Sequence, residues 1–301
     1  MAVVKDGFAR SPLESPLDLF RDRPATLATM HRKEEAIAPL LGKLGLQVIV
    51  PEGFDSDRFG TFTREVKRYG TQIEAARQKA IVGMELLGHS IGIASEGSFG
   101  PHPAMPFLPS NREIVLLIDR ENDLEVMGEA ISTETNFNHK QVANLEEART
   151  FARKVKFPQH GLVVIANADR NGIPEDKNQI IKGITSETQL IDAMQWALKQ
   201  SDRVHIETDM RAMHNPTRMK IIAQATEDLI MKLLSLCPNC GTPGFSIVDR
   251  LPGLPCGLCG IPTELTRSVV YQCQKCRHRE EVLFPNGVET ADPGQCPYCN
   301  P

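Results

Sequence analysis

GTQIEAARQKAIVGMELLGHSIGIASEGSFG, residues 70–100, decides how the first two thirds of the chain are read. Ile73, Ala76, Ala80, Met84 and Leu87 recur at three- and four-residue steps, which predicts a helix over 71–87 with one apolar side. Gly88 ends it, and the apolar run 90–94 (SIGIA) has the length of a short strand. That strand is expected to empty into an acidic turn, Ser95-Glu96-Gly97-Ser98-Phe99-Gly100. In open α/β sheets ligands collect where strands give way to loops. Glu96 is therefore expected as a catalytic or metal-binding carboxylate, with Ser98 near the substrate and glycines that let a ligand approach the backbone. The competing reading is a plain turn with Glu96 in solvent.

Upstream, residues 25–28 (ATLA) read as a strand that runs into Thr29-Met30-His31-Arg32-Lys33 and then a helix to residue 41. A strand, a polar turn and a helix start form a natural anion site, because free amides and the helix dipole favour negative charge. Thr29, His31 and Lys33 are the side chains that would add to it. Residues 46–50 (LQVIV) close a first β-α-β unit, and the polar loop 51–62 carries Glu52, Asp55, Asp57 and Arg58. Before residue 25, two Ser-Pro pairs suggest a flexible leader over 1–24.

Downstream, strands are expected at 114–118, 124–131 and 161–166, and helices at 144–155 and 187–199. VHIETDMRAMHNPTR, residues 204–218, is a second charged strand end. Asn215 followed by Pro216 is a strong helix start. Glu207, Asp209, Arg211, His214 and Arg218 gather carboxylates, guanidinium groups and an imidazole there. Carboxylates at strand ends can hold Mg2+, and arginines can hold the phosphates it bridges. Asp209 is thus a second candidate catalytic acid, and Arg211, His214 and Arg218 candidate substrate ligands; the alternative is an ion-pair network that only fixes the helix. Together these segments predict an α/β domain over 25–236, a mixed sheet flanked by helices.

All eight cysteines follow, as four C-x-x-C knuckles: Cys237/Cys240, Cys256/Cys259, Cys273/Cys276 and Cys296/Cys299. This spacing lets two thiolates wrap one tetrahedral metal, so residues 237–301 are expected to form a small double zinc-ribbon domain with two structural Zn2+. Disulfides are disfavoured by the charged opening residues, which lack the apolar core of a secretory signal. Short loops favour joining knuckle one with two and three with four. The alternative is nested, with two joined to three inside the outer pair. Each quartet leaves no open metal position, so these sites fold the tail and do not catalyse.

A net charge of -4 gives no global attraction for nucleic acid or anionic lipid. The tail itself holds five Lys or Arg against six acids, which argues against nucleic acid and for a protein partner or self-association. No apolar run approaches membrane length, so a cytoplasmic protein is expected.

The ATMHRKEEAI start, ASEGSFGPHP, ETDMRAMHNPTRM and the four knuckles resemble a bacterial family of unknown function over residues 25–301. The first hundred residues also resemble the inosine/xanthosine triphosphatase and Maf-like pyrophosphatases. Thr29-Met30-His31-Arg32-Lys33 stands against their T-x-N-x-x-K, with His for Asn and Lys one step early. Glu74 to Ala80 stands against E-N-A-x-x-K-A and brings Lys79, and Ser95-Glu96-Gly97-Ser98 stands against the acidic turn. That resemblance implies a Mg2+-dependent hydrolase for a nucleotide or other phosphate-containing small molecule. Glu96 and a second acid would hold the ion, and Lys33 and Lys79, with Arg211 or Arg218, the phosphates. The rival expectation is a non-enzymatic scaffold or sensor whose tail binds a protein or nucleic-acid partner.

Overall fold

The computed structural model describes residues 16–301 apart from Phe62, Arg64, Glu65, Tyr69, Arg170, Asn171 and Glu175. Most of the expected leader, 1–15, lies outside the described residues. Its remainder is not loose: Pro16–Leu19 forms a 3-10 turn and Phe20 is wholly buried. The chain divides into one compact unit, Phe20–Ile230, and a second that holds Met231–Pro301 with the segment up to Leu19.

The first unit opens as β1 (Pro24–Leu27), α1 (Glu34–Leu41), β2 (Gln47–Ile49), α2 (Gln72–Leu87), β3 (Ile91–Pro101), β4 (Pro109–Asp119) and β5 (Leu124–Ser132). These strands form one sheet in the order β2-β1-β3-β4-β5. β1 runs parallel to β2 and β3, and β3, β4 and β5 make an antiparallel meander. α2 starts on a capping box, in which the Thr71 hydroxyl accepts from the Glu74 amide and the Glu74 carboxylate accepts from that of Thr71. Such a cap contributes about 1 kcal/mol. Gly88 closes the helix in the left-handed conformation. Ala76 and Ala80 then pack on Ala28, Ala94, Ile114 and Leu116, where small side chains let helix and sheet approach closely.

A second sheet follows: β6 (His139–Val142), α3 (Leu145–Lys154), β7 (Leu162–Ile165), β8 (Ile180–Ile184), α4 (Glu187–Leu198) and β9 (Val204–Thr208). Its order is β6-β9-β7-β8 and every pairing is antiparallel. Phe151, Leu190 and Met194 of α3 and α4 pack on Leu162, Val164 and Ile206. The body therefore holds two sheets, one mixed and one antiparallel, where a single mixed sheet was expected. Asn215 caps α5 (Pro216–Leu234) by accepting from the Arg218 amide at 3.0 Å.

The expected turn after residue 94 is also corrected. β3 continues to Pro101, paired residue for residue with β4, so Glu96, Gly97 and Ser98 lie inside a strand. Alternation sends Glu96 to the α2 side and leaves the Gly97 position against the other face. On that other face a Cβ at Gly128 would sit 2.1 Å from the Ala225 carbonyl oxygen and 2.4 Å from the Leu229 amide nitrogen of α5. Backbone cannot yield as a side chain can. Gly128→Ala is expected to destabilise by about 3 kcal/mol; chemical denaturation that matched wild type would show α5 is not seated there.

Candidate active site and metal centres

Within the first unit, a cavity of about 300 Å³ is lined from three directions. The turn after β1 supplies Thr29, His31 and Lys33, α2 and β3 supply Lys79, Glu96 and Ser98, and the segment after β9 supplies Asp209, Arg211 and Arg218. Nine of the ten side chains singled out in the body thus line one hollow. His214 does not; it lies under β8, its Nε2 3.1 Å from where a Gly183 Cβ would be.

The electrostatics of this hollow are unlike those of a cation site. Glu96 pairs with Lys79 and lies 3.7 Å from Arg68. Burial works to raise its carboxyl, but Lys79, Lys33 and Arg68 together hold it below the ordinary value. Asp209 accepts from both Nη2 and Nε of Arg211, at 2.6 and 3.0 Å, and from the Gly183 amide. Glu207, which also lines the cavity, accepts from or shares a proton with His205 Nε2 at 3.1 Å. Each carboxylate is taken by a cation or an imidazole. Among the described residues, the only groups that bring three or more ligand atoms within 4.8 Å of one another are cysteines. The donor set does not fit the expected Mg2+, and a catalytic role for that ion is not supported.

Arg218 is more deeply held. Its guanidinium lies against Glu113 of β4, Nε to Oε1 2.7 Å, with both side chains at most 1% exposed. It also donates to the Met210 carbonyl and sits 5.6 Å from the centre of the Phe99 ring. Gly97 makes room for this: a Cβ there would come within 2.5 Å of Arg218 Nη2 and of Glu113 Oε1. The glycine serves the protein's own ion pair and not, as expected, the approach of a ligand.

Lys33 differs from its neighbours. Its Nζ donates to the Ser95 carbonyl at 2.8 Å and hydroxyl at 3.0 Å, and among the described residues no carboxylate is within ion-pair distance. Burial first, and the Arg218 charge second, push the amine down to about 7. Six cationic side chains face the cavity against four acids, or five once Glu113, which meets Arg218 from behind, is counted.

Sequence reasoning passed over several lining groups. Asp57, one of four charged residues in the polar loop, accepts from His31 Nε2 at 3.0 Å. The bond fixes the imidazole, and among the described residues its buried Nδ1 has no hydrogen-bond partner. Burial lowers the His31 pKa, with Asp57 opposing, while the His31 bond lowers that of Asp57. Phe99 stacks on Phe137, ring centres 5.6 Å apart, at the cavity wall. Arg68 and Lys182 sit in segments with no pattern to single them out.

In the second unit, β10 (Ser246–Pro252), β11 (Thr266–Gln272) and β12 (Arg279–Leu283) form an antiparallel sheet in that order. Its eight cysteines gather as Cys237, Cys240, Cys273 and Cys276, and as Cys256, Cys259, Cys296 and Cys299. Knuckle one joins three and knuckle two joins four, which corrects both the sequential and the nested pairing. The sheet dictates it. Ser246 pairs with Gln272, so the knuckles before β10 and after β11 meet at one end. Pro252 pairs with Thr266 and Ser268 with Leu283, which puts the knuckle between β10 and β11 and the chain leaving β12 at the other.

In all four knuckles the first cysteine carbonyl accepts from the amide four residues on. Sγ–Sγ distances are 3.6 Å across the first quartet and 3.8 Å across the second. Thiolates about 2.3 Å from a central zinc at tetrahedral angles lie about 3.8 Å apart, whereas a disulfide needs about 2.05 Å. The quartets are compatible with two structural zinc ions. Among the described residues no helix is long and apolar enough to cross a membrane.

No curated protein and no solved structure matches the chain. Nothing in these comparisons supports the likeness to nucleotide pyrophosphatases. Residues 79–301, from the lysine that meets Glu96 through both cysteine quartets, match a domain of unknown function, and the chain belongs to that family, DUF6671.

Proposed function

We propose that the cavity binds a small phosphate-containing molecule and hydrolyses it, with His31 as general base, while the cysteine quartets hold two zinc ions that fold the tail. The observation that carries this reading is the convergence of Lys33, Arg68, Lys79 and Arg211 on one hollow beside an imidazole oriented by a carboxylate. Arg68, Lys79 and Arg211 face fixed counter-charges and cannot collapse onto one another, so they stay in place for an incoming anion, and Lys33 adds its charge only when protonated. With Asp57 on Nε2, the Nδ1 lone pair of His31 is the acceptor for a proton from attacking water. The stacked Phe99 and Phe137 supply an apolar wall for the non-phosphate part of the substrate. Glu96 and Asp209, expected as catalytic acids, act here by positioning Lys79, Arg68 and Arg211.

The test is a release screen for phosphate and pyrophosphate over nucleotides and sugar phosphates, run beside calorimetry with inorganic pyrophosphate. Wild type is expected to bind pyrophosphate and turn over one class, and His31→Gln to lower kcat about 100-fold or more while binding persists. A base acts only when neutral, and burial lowers this one, so kcat should hold at pH 6.5 and fall at more acidic pH. Binding without turnover of any compound would remove the hydrolase and leave a sensor of phosphorylated ligands.

A further inference from the structure

We propose that Lys33 is a nucleophile that forms an imine with a carbonyl compound bearing a phosphate or carboxylate group. The inference rests on the anion-binding reading of the cavity but not on hydrolysis.

The geometry is that of a reactive amine and not of a structural cation. Lys33 lines the cavity, and among the described residues its Nζ has only the oxygens of Ser95 as hydrogen-bond partners, whereas Lys79 is committed to Glu96. A surface lysine is a protonated, hydrated point charge; one removed from water beside another cation keeps its lone pair. The groups around it are Arg218 and Lys79, which favour the neutral amine, and Glu96 and Glu113, which oppose it. Burial and the cations win, and the amine titrates at about 7. At pH 7 the amine therefore carries a free lone pair far more often than a lysine at the ordinary 10.5, of which about one in 3,000 is neutral. Of the remaining cations, Arg68, Lys182 and Arg211, the two guanidinium groups are placed to take the anionic group of the same ligand.

The chemistry balances without any further reactant. The Nζ lone pair attacks the carbonyl carbon, the C–N bond forms, and the π pair moves to oxygen. A proton passes from nitrogen to that oxygen to give a carbinolamine. The hydroxyl departs as water with a proton from His31, which leaves an iminium, and return of its N–H proton to His31 gives the neutral C=N bond. Amine and carbonyl become imine and water.

Pyridoxal 5'-phosphate, an aldehyde carrying a phosphate, tests this on the full-length, metal-loaded protein. Brief exposure to a substoichiometric amount, reduction with borohydride and peptide mapping should place the adduct on Lys33, labelled at least ten-fold faster than any other lysine. Inorganic phosphate should slow that labelling, and Lys33→Arg, confirmed as folded by circular dichroism, should abolish it. Adducts confined to exposed lysines, with Lys33 unmodified in wild type, overturn the proposal whatever the variant does. Pyridoxal lacking the phosphate separates the two ideas. Equal labelling of Lys33 by both aldehydes, indifferent to phosphate, leaves a reactive amine but overturns the anionic group of its substrate, and with it the anion-binding reading. Pyrophosphate binding with Lys33 unlabelled does the reverse.

Discussion

Serine at Cys237 and Cys273 together is expected to cost the protein one equivalent of bound metal, whereas serine at Cys237 and Cys256 together costs two. The first pair of positions belongs to one quartet and the second pair is split between the two. Sequential pairing predicts the opposite result, so metal content by mass spectrometry decides between them. The effect is large because a structural zinc contributes about 10–16 kcal/mol of apparent binding energy, most of it inseparable from folding. Little else could hold this unit: every residue of β12 and six of the seven in β10 are exposed. The apolar cluster at the first quartet is small, with Phe245 and Tyr271 packed on Cys237 and Cys273. Loss of one ion should therefore abolish amide protection through β10, β11 and β12. Persistence of that protection after chelation would show that the sheet folds without metal.

Arg218→Met is the second substitution with a large expected effect, a loss of about 3–5 kcal/mol, because it strands the Glu113 carboxylate in a site with no access to water. Glu113→Gln should cost less, since an amide can still accept from the guanidinium. The double variant Arg218→Met/Glu113→Leu should recover much of the loss, because no charge is then left unmatched. A double-mutant cycle on unfolding free energies measures this. Additive losses would mean that the two side chains do not depend on one another in solution.

The residues that build the cavity were largely legible, while the way the strands carry them was not. Periodicity gave α2, and Asn-Pro gave the start of α5, because helices announce themselves through local side-chain spacing and caps. Glu96 was placed near Lys33 and Asp209 on the idea of a strand end, yet it sits mid-strand. Glycine at 97 looked like a turn, when its small size instead admits Arg218 and Glu113 from a helix and a strand distant in sequence. No local pattern encodes such a contact. The Mg2+ expectation is unsupported for a related reason: a count of carboxylates says nothing of which already face a lysine or arginine. The entropy argument for sequential knuckles was sound in sign but weak in size. Closing 39 residues from Cys237 to Cys276, instead of 22 to Cys259, costs only about 0.5 kcal/mol more. A few strand pairings outweigh that.

The interleaving of the quartets has a consequence for how the chain is made. Cys240 leaves the ribosome 33 residues ahead of Cys273, an interval of roughly 2–7 s at common rates of synthesis. For its last 14 residues, once Cys259 has been made, the first two knuckles are complete and their proper partners do not exist. An ion captured then is held by thiolates that the finished protein assigns to different sites. It must be surrendered when β11 is born and aligns with β10, so metal supply during translation governs how quickly the tail matures.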